Sequence, residues 1–161
     1  MEDVIIRPLK DSEKEILKEF LYEAIFVPEG EEPPEKNIIN REELMVYLYA
    51  FGRGKADFAL VAEIDEKIIG AVWTRIMNDY GHVDDETPSF AISLYKEYRS
   101  QGIGTRLMQE MLQILKDKGY QKASLAVQKA NYAVRMYKKL GFQVFRESEE
   151  EYIMICDLTQ I

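Results

Sequence analysis

One stretch constrains this chain more than any other: Leu94-Tyr95-Lys96-Glu97-Tyr98-Arg99-Ser100-Gln101-Gly102-Ile103-Gly104-Thr105. An apolar run ends there, Gly102 and Gly104 supply a turn, and a long amphipathic segment begins. From Ile103 onward, Leu107, Met108, Met111, Leu112, Ile114 and Leu115 recur at the spacing of one helical face, and Gly119 closes the segment. Apolar runs at 90–95 and 123–127 flank it and read as strands. A strand, a glycine turn, a helix and a second strand in succession require a sheet with a helix laid on its face.

The remaining segments fit the same plan. Val4 to Arg7 reads as a first strand stopped by Pro8. Ser12 and Glu15 form a capping-box pattern ahead of Ile16, Leu17, Phe20, Leu21, Ala24 and Ile25, which share a helical face. Pro28, Gly30, Pro33 and Pro34 break regular structure. Asn40 and Glu43 repeat the cap before Leu44, Met45, Tyr47, Leu48 and Phe51, so a second helix is expected, ended by Gly52. Residues 58–64 and 68–76 predict two antiparallel strands joined through Asp65-Glu66-Lys67. Residues 77–89 read as a loop. Asn131 caps a short helix whose Ala133, Val134, Tyr137 and Leu140 share a face, and strands at 142–146 and 152–158 complete the chain. The expected order is β-α-α-β-β-β-α-β-α-β-β, a mixed α/β (α+β) sheet flanked by helices, in one domain over residues 1–161.

Composition narrows the chemistry. A single cysteine, Cys156, permits no internal disulfide, and with His82 as the only histidine neither a metal centre nor a Ser-His-Asp triad with a second histidine is expected. No metal is therefore assigned. The net charge of -8 repels nucleic acid and anionic lipid, and no run of eighteen apolar residues occurs, so neither nucleic acid nor membrane is an expected partner. Together with the absence of a basic, apolar leader pattern at Met1, this gives a cytoplasmic expectation. Monomer and homodimer both stay open.

The glycine turn is built for an anion. The first amides of a helix lack intrahelical acceptors and lie at the positive end of its dipole. Gly102 and Gly104 let phosphate oxygens approach the main chain, and Arg99 offers a permanently charged fork. Leu107 occupies the third glycine position of a dinucleotide fingerprint, and Thr105-Arg106 follows Gly104 where a P-loop needs Lys, so neither motif is met.

The arrangement Arg99-Ser100-Gln101-Gly102-Ile103-Gly104 instead resembles the acyl-CoA pyrophosphate loop of the GNAT superfamily of N-acetyltransferases. About thirty residues later, Asn131-Tyr132-Ala133-Val134-Arg135-Met136-Tyr137-Lys138-Lys139-Leu140-Gly141-Phe142 is similar to that superfamily's N-x-x-A-x-x-x-Y-x-x-x-G-F segment. The resemblance implies a mostly antiparallel sheet with a splayed central strand pair, and acetyl-CoA as donor. It places the cofactor on Leu94, Lys96, Arg99, Ser100, Gln101, Gly102, Ile103, Gly104, Thr105, Asn131 and Tyr137. Main-chain groups of Leu94 and Lys96 would receive the pantetheine arm, although Lys96 stands where the family often has proline.

Direct transfer to an amine then assigns the chemistry. A main-chain amide near Leu94 or Tyr95 is the expected oxyanion donor, and Tyr137 the acid that protonates the departing thiolate. A phenol at ~10 facing a thiol at ~8.5 is mismatched by only ~2 kcal/mol. The proton on the amine calls for a base, and the acidic residues ahead of the central strand, Asp84, Asp85 and Glu86, are candidates, with His82 as a further one. The acceptor, a small-molecule or peptide amine, is expected between the first two helices and the 77–89 loop, near Tyr22, Phe26, Tyr47, Tyr49 and Phe51. A non-catalytic acyl-CoA-binding module is the alternative from another class, and a nucleotide-binding protein is a third.

Overall fold

The computed structural model describes residues 3–161. Its central hairpin follows directly from local chemistry. Strands β2 (Phe58–Ile64) and β3 (Lys67–Arg75) are joined by Asp65 and Glu66, which both sit at positive φ, 50° and 67°. Two left-handed turn residues match the right-handed twist of the strands they connect. Gly70 at the β3–β4 pairing lacks a side chain that would collide with Leu94.

Around this hairpin the remaining strands are β1 (Ile5–Pro8), β4 (Ser89–Leu94), β5 (Lys122–Gln128), β6 (Phe142–Glu147) and β7 (Glu151–Asp157). The helices are α1 (Leu17–Glu23), α2 (Glu42–Met45), α3 (Ile103–Asp117) and α4 (Ala133–Lys139). One seven-stranded sheet results, ordered β1-β2-β3-β4-β5-β7-β6. Every neighbouring pair is antiparallel except β4 and β5, which run parallel because α3 carries the chain back between them. The expected element order and the mostly antiparallel mixed sheet are both present.

Each face of the sheet buries its own core. Alternation along β4 sends Phe90 and Leu94 toward α3 and α4, into a cluster with Leu107, Met108, Met111, Leu125, Tyr137 and Phe142. Ala91 goes the other way, joining Leu17, Phe20, Leu21, Val61 and Trp73 under α1. Ser93 follows Ala91's face and donates its hydroxyl to the Phe20 carbonyl at 2.6 Å, which fixes α1 against the end of β4.

Two helical expectations need correction. The first helix begins with a 3-10 turn over Asp11–Ile16, and the cap is made by Glu13, whose carboxylate accepts from the Lys10 amide at 2.9 Å, rather than by Ser12 and Glu15. Arg7 holds Glu13 in place through paired bonds of 2.9 and 2.8 Å. The second helix is a single turn, α2, without a side-chain cap from Asn40. Its expected continuation fails because β3 side chains take the carbonyls that the next turn would use. Trp73 Nε1 donates to Tyr47 O at 3.1 Å and Arg75 Nη1 to Val46 O at 3.0 Å, while Ala50 swings to φ 53°.

Candidate active site

The turn after β4 forms an anion cradle in detail. Ser100 and Gly102 both lie at positive φ, 63° and 85°, so successive amides tilt toward a common point. Arg106 is the residue whose amide returns to Gly102 O, at 3.2 Å, which leaves the amides of Ile103, Gly104 and Thr105 without intrahelical acceptors. A Cβ on Gly102 would meet no atom within 4 Å, and one on Gly104 only Met136 and Leu94 at 3.7 Å or more. The cradle is therefore open space, and the glycines are not explained by crowding inside the protein.

Beside the cradle the sheet opens. Strands β4 and β5 share a single rung, Ser89 with Ser124, and diverge beyond it. The amide of Tyr95 donates to Ile69 O at 3.0 Å, on the β3 side. By the alternation of an antiparallel ladder, the main-chain groups of Ile92 and Leu94 point into the gap. This corrects the sequence expectation for Tyr95, whose amide is spent, and leaves Leu94 as the oxyanion candidate of that pair. The carbonyls near the gap are partly committed: Arg99 Nε donates to Leu94 O at 2.9 Å, and the Arg99 amide to Lys96 O at 3.3 Å.

A groove of about 830 Å³ runs along the gap and over the cradle. It is lined by Leu94, Lys96, Arg99, Ser100, Gly102, Gly104, Thr105, Asn131 and Tyr137, together with Ile92, Ser93, Tyr132, Met136 and the 22–34 segment. Nine of the expected cofactor residues thus share one cavity. Ile103 does not line it, since its side chain is buried under the sheet while its amide belongs to the cradle. Gln101 does not either; its side chain turns away to Glu97 O at 3.0 Å. Arg99 lines the groove, yet its fork is directed at Leu94 O and at Glu23, 3.0 Å away. Asn131 accepts from the Ala133 amide at 2.9 Å, which performs the expected capping of α4.

Tyr137 stands on the buried face of α4, its ring tilted against Phe142 at 5.9 Å. Among the described residues its hydroxyl makes no hydrogen bond, and the residue borders the groove. A core tyrosine ordinarily finds a partner for that group. Burial pushes the phenol well above its usual range, so it stays protonated, while the mismatch with a thiol grows beyond that of an exposed tyrosine.

Asp85 and Glu86 lie apart from this groove, and the structure does not bring them to Tyr137. The loop that carries them enters β4 at its first residue, whereas the strands part further along. Glu86 and Asp84 border a separate depression of about 340 Å³ with Lys55, Tyr120 and Lys122. Asp85 is fully exposed, 3.5 Å from His82. Asp84 is occupied in its own turn, where bonds from Thr87 and the Glu86 amide hold its carboxyl below the usual range. Of the aromatics expected near an acceptor, Tyr22 and Phe26 line the groove, Tyr47 is buried, Tyr49 is exposed, and Phe51 stacks on Arg75. Sequence reading missed Met136 and Ile92, which resemble ordinary core positions until the strands are seen to separate.

The sequence pattern of the acetyltransferase (GNAT) family matches residues 18–142, which includes the cradle and Tyr137. The chain belongs to that family. Among curated relatives, it is 34% identical over 89 residues to a probable N-acetyltransferase camello of Xenopus tropicalis, an alignment covering 53% of this chain and 38% of that protein. It is 32% identical over 111 residues to N-alpha-acetyltransferase 30 of Schizosaccharomyces pombe, covering 67% of this chain and 71% of the relative. The chain therefore spans well under half the length of the camello protein it matches. The fold is shared with the PaiA N-acetyltransferase of Thermoplasma acidophilum in complex with coenzyme A, at TM-score 0.70 and 22% identity over 96% of this GNAT chain and 99% of that one. It is also shared with the ribosomal-protein-S18-alanine N-acetyltransferase of Escherichia coli, at TM-score 0.66 and 15% identity, covering 97% and 94%. No group of three or more metal-ligating side chains occurs among the described residues.

Proposed function

We propose that this GNAT protein transfers an acetyl group from acetyl-CoA to an amine by direct attack. The observation that carries the proposal is the single groove joining open helix amides, an unzipped strand edge and an unbonded tyrosine hydroxyl. The solved PaiA protein holding coenzyme A on the same fold supports the donor.

The residues divide the work. The amides of Ile103, Gly104 and Thr105 bind the diphosphate, aided by the dipole of α3. The unpaired edge of β4 at Ile92 and Leu94 receives the extended pantetheine arm as another strand would be received. The thioester supplies an activated acyl carbon. The Leu94 amide, fixed before reaction by β3 pairing and by Arg99, stabilises charge growing on the acyl oxygen. Tyr137, kept protonated by burial, hands a proton to the leaving sulfur.

Thiol release from acetyl-CoA across a panel of small and peptide amines tests this reading. Turnover on at least one acceptor is expected, with Tyr137→Phe binding CoA as before but turning over on the order of 10²-fold more slowly. Tight CoA binding with no turnover on any amine would leave a binding module instead.

A further inference from the structure

The proposed reaction lacks a base, since Asp85 is exposed on an outer turn and Glu86 borders a separate depression. A different carboxylate lies where the strands begin to part. The 77–83 segment crosses β4 and β5 at their one rung: Ser89 Oγ donates to Asp79 Oδ1 at 3.0 Å, and Ser124 Oγ to Gly81 O at 2.7 Å. Gly81 packs so tightly on β5 that a Cβ there would lie 3.0 Å from the Ala126 nitrogen. Asp79 is thereby pinned at the apex of the gap, behind the groove lining rather than in it.

Its carboxyl is held by Ser89 and by the Gly81 amide two residues on, as in a turn-closing aspartate, yet one oxygen is left over. Oδ2 is buried and has no hydrogen-bond partner among the described residues. A buried acceptor left unmatched costs about 1–3 kcal/mol, and more when charged. No salt bridge reaches Asp79 among the described residues, and the neighbouring charge on β7, Glu151, is of the same sign. Tyr47 brings a hydroxyl against the carboxyl from beyond α2, short of full hydrogen-bond alignment with Oδ2, and Tyr80 stands nearby on the same loop, facing Glu43 and Arg41. Arg41 acts on Tyr80 and on neither carboxylate, so Asp79 and Glu151 keep an uncompensated negative field of the sign that suits an ammonium group.

The position also suits the reaction. Ser89 projects toward the α1 face, as Ser93 does, whereas Phe90 projects to the opposite face. Phe90 lies 6.0 Å from Phe142, which is 5.9 Å from Tyr137. Asp79 and Tyr137 therefore approach the apex from opposite faces of the sheet. Ile92, whose main chain opens into the gap, is three residues beyond Ser89, about 10 Å along the strand.

We propose that Asp79 is the catalytic base, and that the acceptor is an amine entering as its ammonium form from the α1 face with Glu151 as a second anionic contact. This rests on the acetyl-transfer reading above. The ammonium gives one proton to Asp79 over a bridging water. The freed nitrogen lone pair forms the C–N bond as the C–S bond breaks. The nitrogen's second proton goes to solvent, and the thiolate takes its proton from Tyr137, which is then reprotonated. Burial raises the Asp79 carboxyl against the lowering effect of Ser89 and Tyr47, which makes it a better proton acceptor than an exposed aspartate.

The test compares wild type and Asp79→Asn on two acceptors, an aliphatic amine protonated at neutral pH and an aromatic amine or hydrazine already neutral there. The variant should lose on the order of 10²-fold in kcat/KM on the aliphatic amine and much less on the neutral one, with CoA affinity by calorimetry unchanged. Equal losses on both acceptors, or no loss, would overturn the assignment. A wild type that turns over neither acceptor refutes the underlying acetyl-transfer reading instead. Should the Asn variant fail to fold, Ser89→Ala serves: removing the donor that lowers the Asp79 carboxyl should move the acidic limb of the wild-type pH profile upward, and an unmoved limb counts against Asp79.

Discussion

Arg99 reaches back five residues to hold the carbonyl of Leu94 at 2.9 Å, and its other arm holds Glu23 at 3.0 Å on the last turn of α1. The arginine thus clamps the end of the splayed strand to a helix on the opposite face. Arg99→Gln and Glu23→Gln should therefore weaken CoA binding in the same direction, with a coupling in the double variant of about 0.5–3 kcal/mol by calorimetry. A pure phosphate contact would give a different result, because losing Glu23 would then free the guanidinium and strengthen binding.

The two cradle glycines should separate in a substitution experiment. Gly102 sits at φ 85°, so Gly102→Ala strains the backbone and costs about 1 kcal/mol in thermal unfolding. Gly104 has no such constraint; its Cβ would make only ordinary contacts, and alanine favours helix by up to about 1 kcal/mol. Gly104→Ala should accordingly keep or raise the melting temperature while lowering CoA affinity, because its methyl enters the groove.

For Tyr137 the expected signature is an activity loss without a stability loss. The ring fills space against Phe142, and the hydroxyl bonds nothing among the described residues. Tyr137→Phe should unfold within about 0.5 kcal/mol of wild type. Since burial raises the phenol, wild-type kcat should show no basic limb from this group below about pH 10.

Away from the site, Glu13 makes acid sensitivity measurable. Hydrogen bonds from Arg7 and the Lys10 amide hold its carboxyl at about 2, against an ordinary 4.5. A carboxylate with a lowered value stabilises the fold above its unfolded value, and that contribution disappears as pH falls through the folded one. Glu13→Gln should cost about 1 kcal/mol at neutral pH and progressively less between pH 4.5 and 2, read by denaturant unfolding at each pH.

The sequence made the cofactor side legible because that side is local. A strand end, two glycines and a helix start lie within twelve residues, and their geometry follows from short-range rules. Asn131 was likewise readable as a cap from its own neighbourhood. The second helix was not, since its apolar spacing was sound but Trp73 and Arg75, more than twenty residues away, took its carbonyls. Asp79 was hidden for the same reason: the hydroxyls of Ser89 and Tyr47 and the charge of Glu151 that act on it come from three separate segments. Arg99 was recognised as a site residue, while its tie to Glu23 spans 76 positions and leaves no trace in a motif.

Ser89 and Ser124 make the only ladder pair between β4 and β5, so the seven strands are in effect two smaller sheets hinged at one point and backed by α3. Whatever lies in the opening also acts as mortar between those halves. An occupied chain should therefore melt as one block, whereas an empty one carries its weakest seam through the place where the chemistry is proposed, and amide exchange along Ile92 and Leu94 would show the difference.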